Sequence, residues 1–363
     1  MPVSYLILVI NFGSTSTKIS VFENTAERLK VSVKHLPEEL ALYRTVGEQK
    51  EFREETVVRT LKEQGFQLEQ FQAIASRGGN CRPVPGGIYR INEAMLEDIK
   101  SGRYGIHATG VGCEVAFELG KKFRIPALTA DPPIADEFCE LARFSGKKEL
   151  PRISSGHVLN QKRTARIVAQ MRGTSYEKSN MIVVHLGGGV SVGAHRRGKL
   201  IDMNNALDGE GPFSPERTGT IVVEEVIHLC FSGEYTEEEA SRYFKGQGGL
   251  TSYLGTNNGE EIEKRIVSGD AYAKMVFQAM AYQVSKEIGG MYTVLEGKVD
   301  AIALTGGLAH SKCLTEEIKK RTGCLAPVYL VPGENEMVAL AESSLRYLTG
   351  AEKAREYEEV ITC

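Results

Sequence analysis

A strand–polar turn–strand unit occurs twice in this chain, once at the start of each half, and it constrains the fold more than any other feature. Residues 5–10 are an apolar run too short for a helix, stopped by the turn-forming cluster Asn11-Phe12-Gly13-Ser14-Thr15-Ser16-Thr17. Residues 18–22 return as a second strand, and 29–35 alternate apolar and polar as a third. In the second half, residues 181–186, the turn Gly187-Gly188-Gly189, 190–195 and 199–203 repeat that order. A duplicated domain accounts for this; because neither repeat is strict, hairpins common to many folds are the alternative. Helical periods follow at about 54–64, 92–100 and 111–122, then 218–230, 236–244, 271–295, 311–321 and from Glu336. Short apolar strands lie at 73–75, 127–129, 301–304 and near 327–331. Such alternation predicts an α/β fold with mixed sheets. A length of 363 residues suits two domains. They are expected at 1–170 and 171–363, with the junction between about 160 and 180. The last helix is a candidate to pack back on the first domain.

Composition excludes several classes. Hydrophobic residues make up 42% and charged residues 25%, ordinary values that argue against disorder, collagen or a coiled coil. With 44 basic against 47 acidic side chains, no basic stripe for nucleic acid or an anionic membrane emerges. Glu237-Glu238-Glu239 and the tail from Glu352 read as solvated helix faces. The opening apolar run is too short for a signal sequence or a membrane span. Seven scattered cysteines (Cys81, Cys113, Cys139, Cys230, Cys313, Cys324, Cys363) without a Cys-x-x-Cys pair suit reduced thiols in a cytoplasm. Glycine is in excess, 38 of 363 residues or about 10% against an average near 7%.

Much of that excess lies at strand ends. The 11–17 turn offers backbone N–H groups and hydroxyls, with Lys18 behind, and can wrap phosphate oxygens; a plain polar hairpin is the other reading. Neither a Walker loop nor a Gly-x-Gly-x-x-Gly fingerprint is present. Three consecutive glycines cost conformational entropy and are explicable if an anion must approach the backbone. Gly306-Gly307 offers a further approach.

Residues 9–18, His185-Leu186-Gly187-Gly188-Gly189 and Leu304-Thr305-Gly306-Gly307-Leu308 resemble the two phosphate segments and the adenosine segment of the acetate and sugar kinase, heat-shock chaperone and actin superfamily. Within it, residues 205–219 and 332–337 look like the acetokinase family, most like its butyrate-phosphorylating branch; the resemblance runs from about 6 to 349. It implies two duplicated actin-like (ribonuclease H-like) domains with a nucleotide cleft between them. The first would carry much of the acyl site and the second the nucleotide. The family's catalytic positions carry over to Arg77, Asp131, His157 and Arg217. His107 matches a second cleft histidine, and Lys162 keeps the family spacing after His157. Nucleotide and phosphate positions carry over to Asn11, Ser14, Thr15, Lys18, His185, Gly187, Gly188, Gly189, Asn258, Gly306 and Gly307. Mg²⁺ positions carry over to Asn11, Asp131 and Glu336, with Glu334 an alternative to Glu336.

By default Arg77 would be a surface ion pair, His157 a satisfied histidine, Asp131 a turn initiator before Pro132 and Glu336 a first-turn acid. His35, His195, His228 and His310 have no comparable context and read as structural. The resemblance further implies ATP and a short-chain fatty acid as substrates, ADP and an acyl phosphate as products, and a homo-oligomer, at least a dimer. Acetate kinases generally carry valine and phenylalanine where this chain has Gly79 and Gly156. Glycine there is expected to make room for butyrate, isobutyrate or other branched acids. An acetate or propionate kinase, or an actin-like ATPase module, are the alternatives.

Overall fold

The computed structural model describes residues 4–358, so Cys363 lies outside the described residues. The chain divides into two compact units, one formed by residues up to Asp136 together with those from Asn335, the other by Glu137–Glu334. In the first unit, β1 (Leu6–Gly13), β2 (Ser16–Glu23) and β3 (Ala26–Lys34) make an antiparallel meander. With β4 (Ala73–Ser76), β5 (Ile88–Arg90) and β6 (Ala127–Ala130) they form a six-stranded sheet in the order β3-β2-β1-β4-β6-β5. β1, β4 and β6 run parallel, and β5 closes one edge antiparallel to β6.

Alternation along β1 decides what covers each face. Leu8, Ile10 and Phe12 share a core with Val111, Val115, Ala116 and Leu119 of the helix Ala108–Phe123. Ile7 and Val9 point the other way and are also fully buried, and the helix Glu336–Leu348 packs against β1 and β4. A strand apolar on both faces is what a parallel sheet sandwiched by helices requires.

The second unit repeats the plan. β7 (Asn180–Leu186), β8 (Val190–Arg196) and β9 (Lys199–Met203) form the meander. β10 (Ala301–Gly306) and β11 (Val328–Pro332) extend it in parallel, in the order β11-β10-β7-β8-β9. Strand for strand this is the first sheet without its edge strand β5. Ile182, Val184 and Leu186 pack against the long helix Ala271–Val294, whereas Met181 and Val183 pack against Ala165, Val168 and Ala169 of the helix Val158–Met171.

That last helix moves the boundary expected at 170/171. Its apolar face is buried on the second sheet, so the second unit already begins at Glu137. The helix expected over 218–230 begins only at Val223, because Gly219 adopts φ +70°. Nor is the tail from Glu352 a helix face. Arg355 exchanges backbone hydrogen bonds with Ile88 and Arg90 along β5, at 2.8 and 3.1 Å. Tyr357 is fully buried, and its hydroxyl donates to Asp98 at 2.6 Å while accepting from the Arg82 N–H at 2.9 Å.

No helix among the described residues is long and apolar enough to cross a membrane. The docked tail gives a stability test. Tyr357→Ala should cost about 3–5 kcal/mol, as for other buried aromatic truncations, and Tyr357→Phe about 1–2 kcal/mol for the lost hydroxyl. Urea denaturation checks both; equal stability of Tyr357→Ala and the parent chain would refute the docking.

Candidate active site

In the first unit the ends of β1, β4 and β6 and the start of the helix Glu336–Leu348 place Asn11, Arg77, Asp131 and Glu336 near one another. Asn11, on the last turn-ward stretch of β1, donates from Nδ2 to Glu336 Oε2 at 2.9 Å. Arg77, directly after β4, donates from Nε to Glu336 Oε1 at 2.6 Å and from its guanidinium to the Asp131 carbonyl at 3.4 Å. Glu336 is the first residue of the helix Glu336–Leu348, where the helix dipole favours a carboxylate. Asp131, after β6, is almost wholly buried and holds φ +40°, a strained conformation for a residue with a side chain. Its carboxylate accepts the Gly87 N–H at 2.8 Å. Asn11, Asp131 and Glu336 thus offer amide and carboxylate oxygens, the hard donors that Mg²⁺ takes, often through water. Glu334, the alternative to Glu336, belongs instead to the second unit, 3.9 Å from His185.

Ser14 and Thr15 sit exposed at the tip of the β1–β2 turn. Lys18 pairs across the ladder with Asn11 and so shares its face of the sheet; it makes no ion pair among the described residues. His107 caps the helix Ala108–Phe123, its Nδ1 accepting from the Thr109 N–H at 3.2 Å. Partial burial and the charges of Arg77 and Arg53 hold its pKa below the usual histidine range. A neutral ring with Nδ1 as acceptor presents Nε2–H outward.

Arg53 was invisible to the motif reading. It lies on the helix Lys50–Glu63, fully buried. Its guanidinium donates to the carbonyls of Ser16 and Ser14 at 3.0 and 3.2 Å and to Gln49 Oε1 at 3.0 Å, and lies over the Phe12 ring at 5.3 Å. No carboxylate pairs with it among the described residues. Burial accordingly lowers its pKa, and its charge, after burial, also lowers that of His35, which bonds Thr17 Oγ1 at 2.8 Å. Arg53 thus pins two carbonyls of the turn on the side of the helix Lys50–Glu63.

In the second unit a cleft of about 680 Å³ is lined by Gly187, Gly188, Glu216, Asn257, Asn258 and Gly307, among others. Asn258 caps the helix Gly259–Val267, accepting from two backbone N–H groups at 3.0 and 3.2 Å. Asn257 donates to Glu216 at 2.6 Å. His310 and Ser311 also line the cleft. Of the other histidines read as structural, His35 and His195 are buried and hydrogen-bonded, and His228 is an exposed partner of Glu224.

The glycine turns have reasons of their own. A Cβ on Gly187 would lie 2.7 Å from His185 Nε2, and one on Gly189 would lie 3.0 Å from the Arg217 guanidinium. Arg217 therefore lies over the triple-glycine turn, its Nε donating to the Leu207 carbonyl at 3.2 Å. Gly306 adopts φ +89° where a Cβ would overlap the Leu186 carbonyl, and Gly307 faces open space in the cleft. Gly79 and Gly156 do not behave as expected. The space a side chain would take at Gly79 is filled by Gly110 and Ile99, and at Gly156 by Met203. Neither glycine by itself leaves room for a longer acid. Beside Gly110, however, a cavity of about 250 Å³ is lined by Val46, Ile99, Ile106, His107 and Val111.

His157 precedes the helix Val158–Met171 and stacks on His185, ring centroids 3.7 Å apart and 9° from parallel. His185 Nδ1 accepts from Asn160 at 2.8 Å, and burial, then the neighbouring His157, hold its pKa well below the usual range. It is neutral, with its proton on Nε2. Together with Glu334 these rings form a cluster of metal-ligand types. Stacked rings aim their lone pairs poorly at one ion, and His185, with Nδ1 engaged by Asn160, has none left to give; its Nε2–H is a donor instead. Lys162 is buried in an ion pair with Glu137 at 2.9 Å and takes a structural part.

A family model described as the acetokinase family matches residues 155–322. Butyrate kinase 2 of Clostridium acetobutylicum is 48% identical over 98% of this chain and 99% of its own length. The crystal structure of Porphyromonas gingivalis acetate kinase superposes with a TM-score of 0.77 at 15% identity, covering 94% of this chain and 99% of that one. A propionate kinase from Francisella tularensis gives 0.69 at 21% identity, over 93% and 98%. These two likenesses show the fold.

The buried guanidinium behind the first turn is testable on its own. Arg53→Met would strand the Ser14 and Ser16 carbonyls and should destabilise the chain by about 2–4 kcal/mol, at a cost of about 1–3 kcal/mol for each unsatisfied group less the relief of an unpaired charge. Equilibrium unfolding measures it, and an unchanged midpoint would show that Arg53 does not hold the turn.

Proposed function

The chain belongs to the acetokinase family, and from that premise we propose that it is a butyrate kinase. It transfers the terminal phosphoryl group of ATP to butyrate, isobutyrate or a similar short-chain acid, giving ADP and an acyl phosphate, and runs in either direction. The observation that carries this reading is 48% identity to a butyrate kinase across 98% of the chain.

The chemistry asks little of a base. A short-chain carboxylate with a pKa near that of a side-chain acid, about 4–5, is ionised at neutral pH. The difficulty is bringing it against an anionic nucleotide, so catalysis rests on positioning and charge stabilisation. Glu336 holds Arg77 by Nε, which leaves the outer edge of its guanidinium for carboxylate and phosphoryl oxygens. Arg217, resting on Gly189, supplies a second fork. His185 and His157 present N–H donors. ATP occupies the cleft lined by Gly187, Asn258 and Gly307; that Ser14, Thr15 and Lys18 serve its phosphates is what the family resemblance implies. Asn11, Asp131 and Glu336 would hold Mg²⁺, which when bound neutralises charge on the phosphate oxygens. Transfer is direct and in line, without a phosphoenzyme.

The acyl tail occupies the cavity lined by Val46, Ile99, Ile106 and Val111. Two methylenes buried there favour butyrate over acetate by about 1.6 kcal/mol, roughly 15-fold. A second copy of the chain is the partner expected of a family dimer. The helix Val223–Cys230 buries none of its residues and leaves Val223 71% and the following Phe231 86% exposed. That face is where we place the contact.

Hydroxylamine trapping tests the activity: with ATP and butyrate the chain should give acyl hydroxamate, whereas an ATPase would release only phosphate. Arg77→Ala and Arg217→Ala should each lose roughly 10³-fold in kcat/KM, as for arginine fingers. Near-normal turnover in both would sink the site. Filling the cavity with Val111→Phe should lower the butyrate-to-acetate ratio of kcat/KM by about tenfold. Sedimentation velocity should find a dimer that Phe231→Glu dissociates; a monomeric parent chain at micromolar concentration would refute the interface.

A further inference from the structure

Four residues behind His157 have no part in the reaction as described, yet they form an unbroken chain of hydrogen bonds ending on its ring. Tyr176, His195, Gln161 and Ser191 are all at most 2% exposed. The Tyr176 hydroxyl lies 2.8 Å from His195 Nδ1, and His195 Nε2 lies 2.9 Å from Gln161 Oε1. Gln161 Nε2 lies 2.7 Å from Ser191 Oγ, which lies 3.1 Å from His157 Nδ1.

The direction of this chain follows from one contact. The Ser191 backbone carbonyl, which can only accept, is 3.3 Å from the Gln161 side-chain nitrogen. The NH₂ end of the carboxamide therefore faces Ser191, and its oxygen faces His195. An amide oxygen also only accepts, so His195 carries its proton on Nε2, and its Nδ1 receives the proton of Tyr176. At the other end Ser191 Oγ accepts from Gln161, and His157 Nδ1 is the one acceptor its hydroxyl meets among the described residues, so the hydroxyl donates its hydrogen bond there. His157 is left with its own proton on Nε2.

The strand opposite is shaped around this carboxamide. Gly193 lies inside β8, and a Cβ there would overlap Gln161 Oε1. Glycine in a strand interior weakens the strand and marks a close approach, here that of the Gln161 carbonyl.

We propose that Gln161 is a positioning residue which, through Ser191, locks His157 in the Nε2–H tautomer, so that the ring meets an anionic phosphoryl oxygen as a donor and never as a lone pair. The ring nitrogen that bears the proton is set by the bond the other nitrogen makes. The consequence for turnover rests on the carboxylate-kinase reading; the tautomer itself does not.

Long-range ¹H–¹⁵N correlations of the imidazoles, assigned with a His157→Asn control, read the tautomer without turnover. The parent chain should show His157 protonated on Nε2. Gln161→Glu puts an acceptor in front of Ser191, so the hydroxyl turns round and His157 should change to the Nδ1–H form. Gln161→Leu should leave a mixture. Ser191→Ala removes the last donor without touching the carboxamide, should also give a mixture, and serves if a Gln161 variant does not fold. In hydroxamate assays each variant should lose roughly 10²-fold or more in kcat, between the loss of an orienting partner and that of a wrong-tautomer histidine, with both KM values little changed. An unchanged Nε2–H signal in Gln161→Glu, or in Ser191→Ala, would overturn the proposal, as would a changed tautomer with unchanged kcat. Failure of the kinase reading looks different: the parent chain would form no hydroxamate while the tautomer shifts persisted.

Discussion

One carboxylate ties together three distant parts of the first unit. Glu336 accepts from Asn11 at the end of β1 and from Arg77 after β4, at 2.9 and 2.6 Å, while opening the helix that covers that sheet. Arg77 is 93% buried in the sense that only 7% of its surface is exposed, so its charge needs this partner. Stranding one member of such a pair costs about 3–5 kcal/mol, far more than a surface ion pair contributes. The bond also fixes the guanidinium by its Nε edge, while a terminal nitrogen meets the Asp131 carbonyl at 3.4 Å. Anchoring the fold and orienting this side chain are the same contact.

The duplicated sheet explains why comparable loops recur. In each unit the first strand of the meander is buried on both faces and runs parallel to a partner strand, so its carboxyl end carries a turn beside the end of that partner. In the first unit that turn is closed over a buried arginine; in the second it is closed by glycines under Arg217 and beside His185. One topology has thus been given two ways of closing its strand-end turn.

Much of this could be read from the residues. The two meanders, most of the helices and the strand-end place of the glycine turns follow from short-range pattern, because burial on both faces demands uninterrupted apolar runs. What resisted reading depends on contacts between residues far apart in the chain. Gly79 and Gly156 look like vacated space, yet Ile99, Gly110 and Met203 occupy it. Arg53, Gln161 and Tyr176 carry no motif at all; they matter because of what their polar atoms meet once buried. The domain boundary shifted for the same reason, since only packing shows which sheet the helix Val158–Met171 belongs to.

The interrupted first unit has a consequence for synthesis. Its last helix, Glu336–Leu348, leaves the ribosome only after the whole of Glu137–Glu334 has been made. Until then Ile7 and Val9 on the uncovered face of β1 lack their helix, and Arg77 lacks Glu336. The second unit, continuous in the chain, can close its core first. The amino-terminal unit therefore stays incomplete, with part of its sheet uncovered, until the carboxyl-terminal residues have been made.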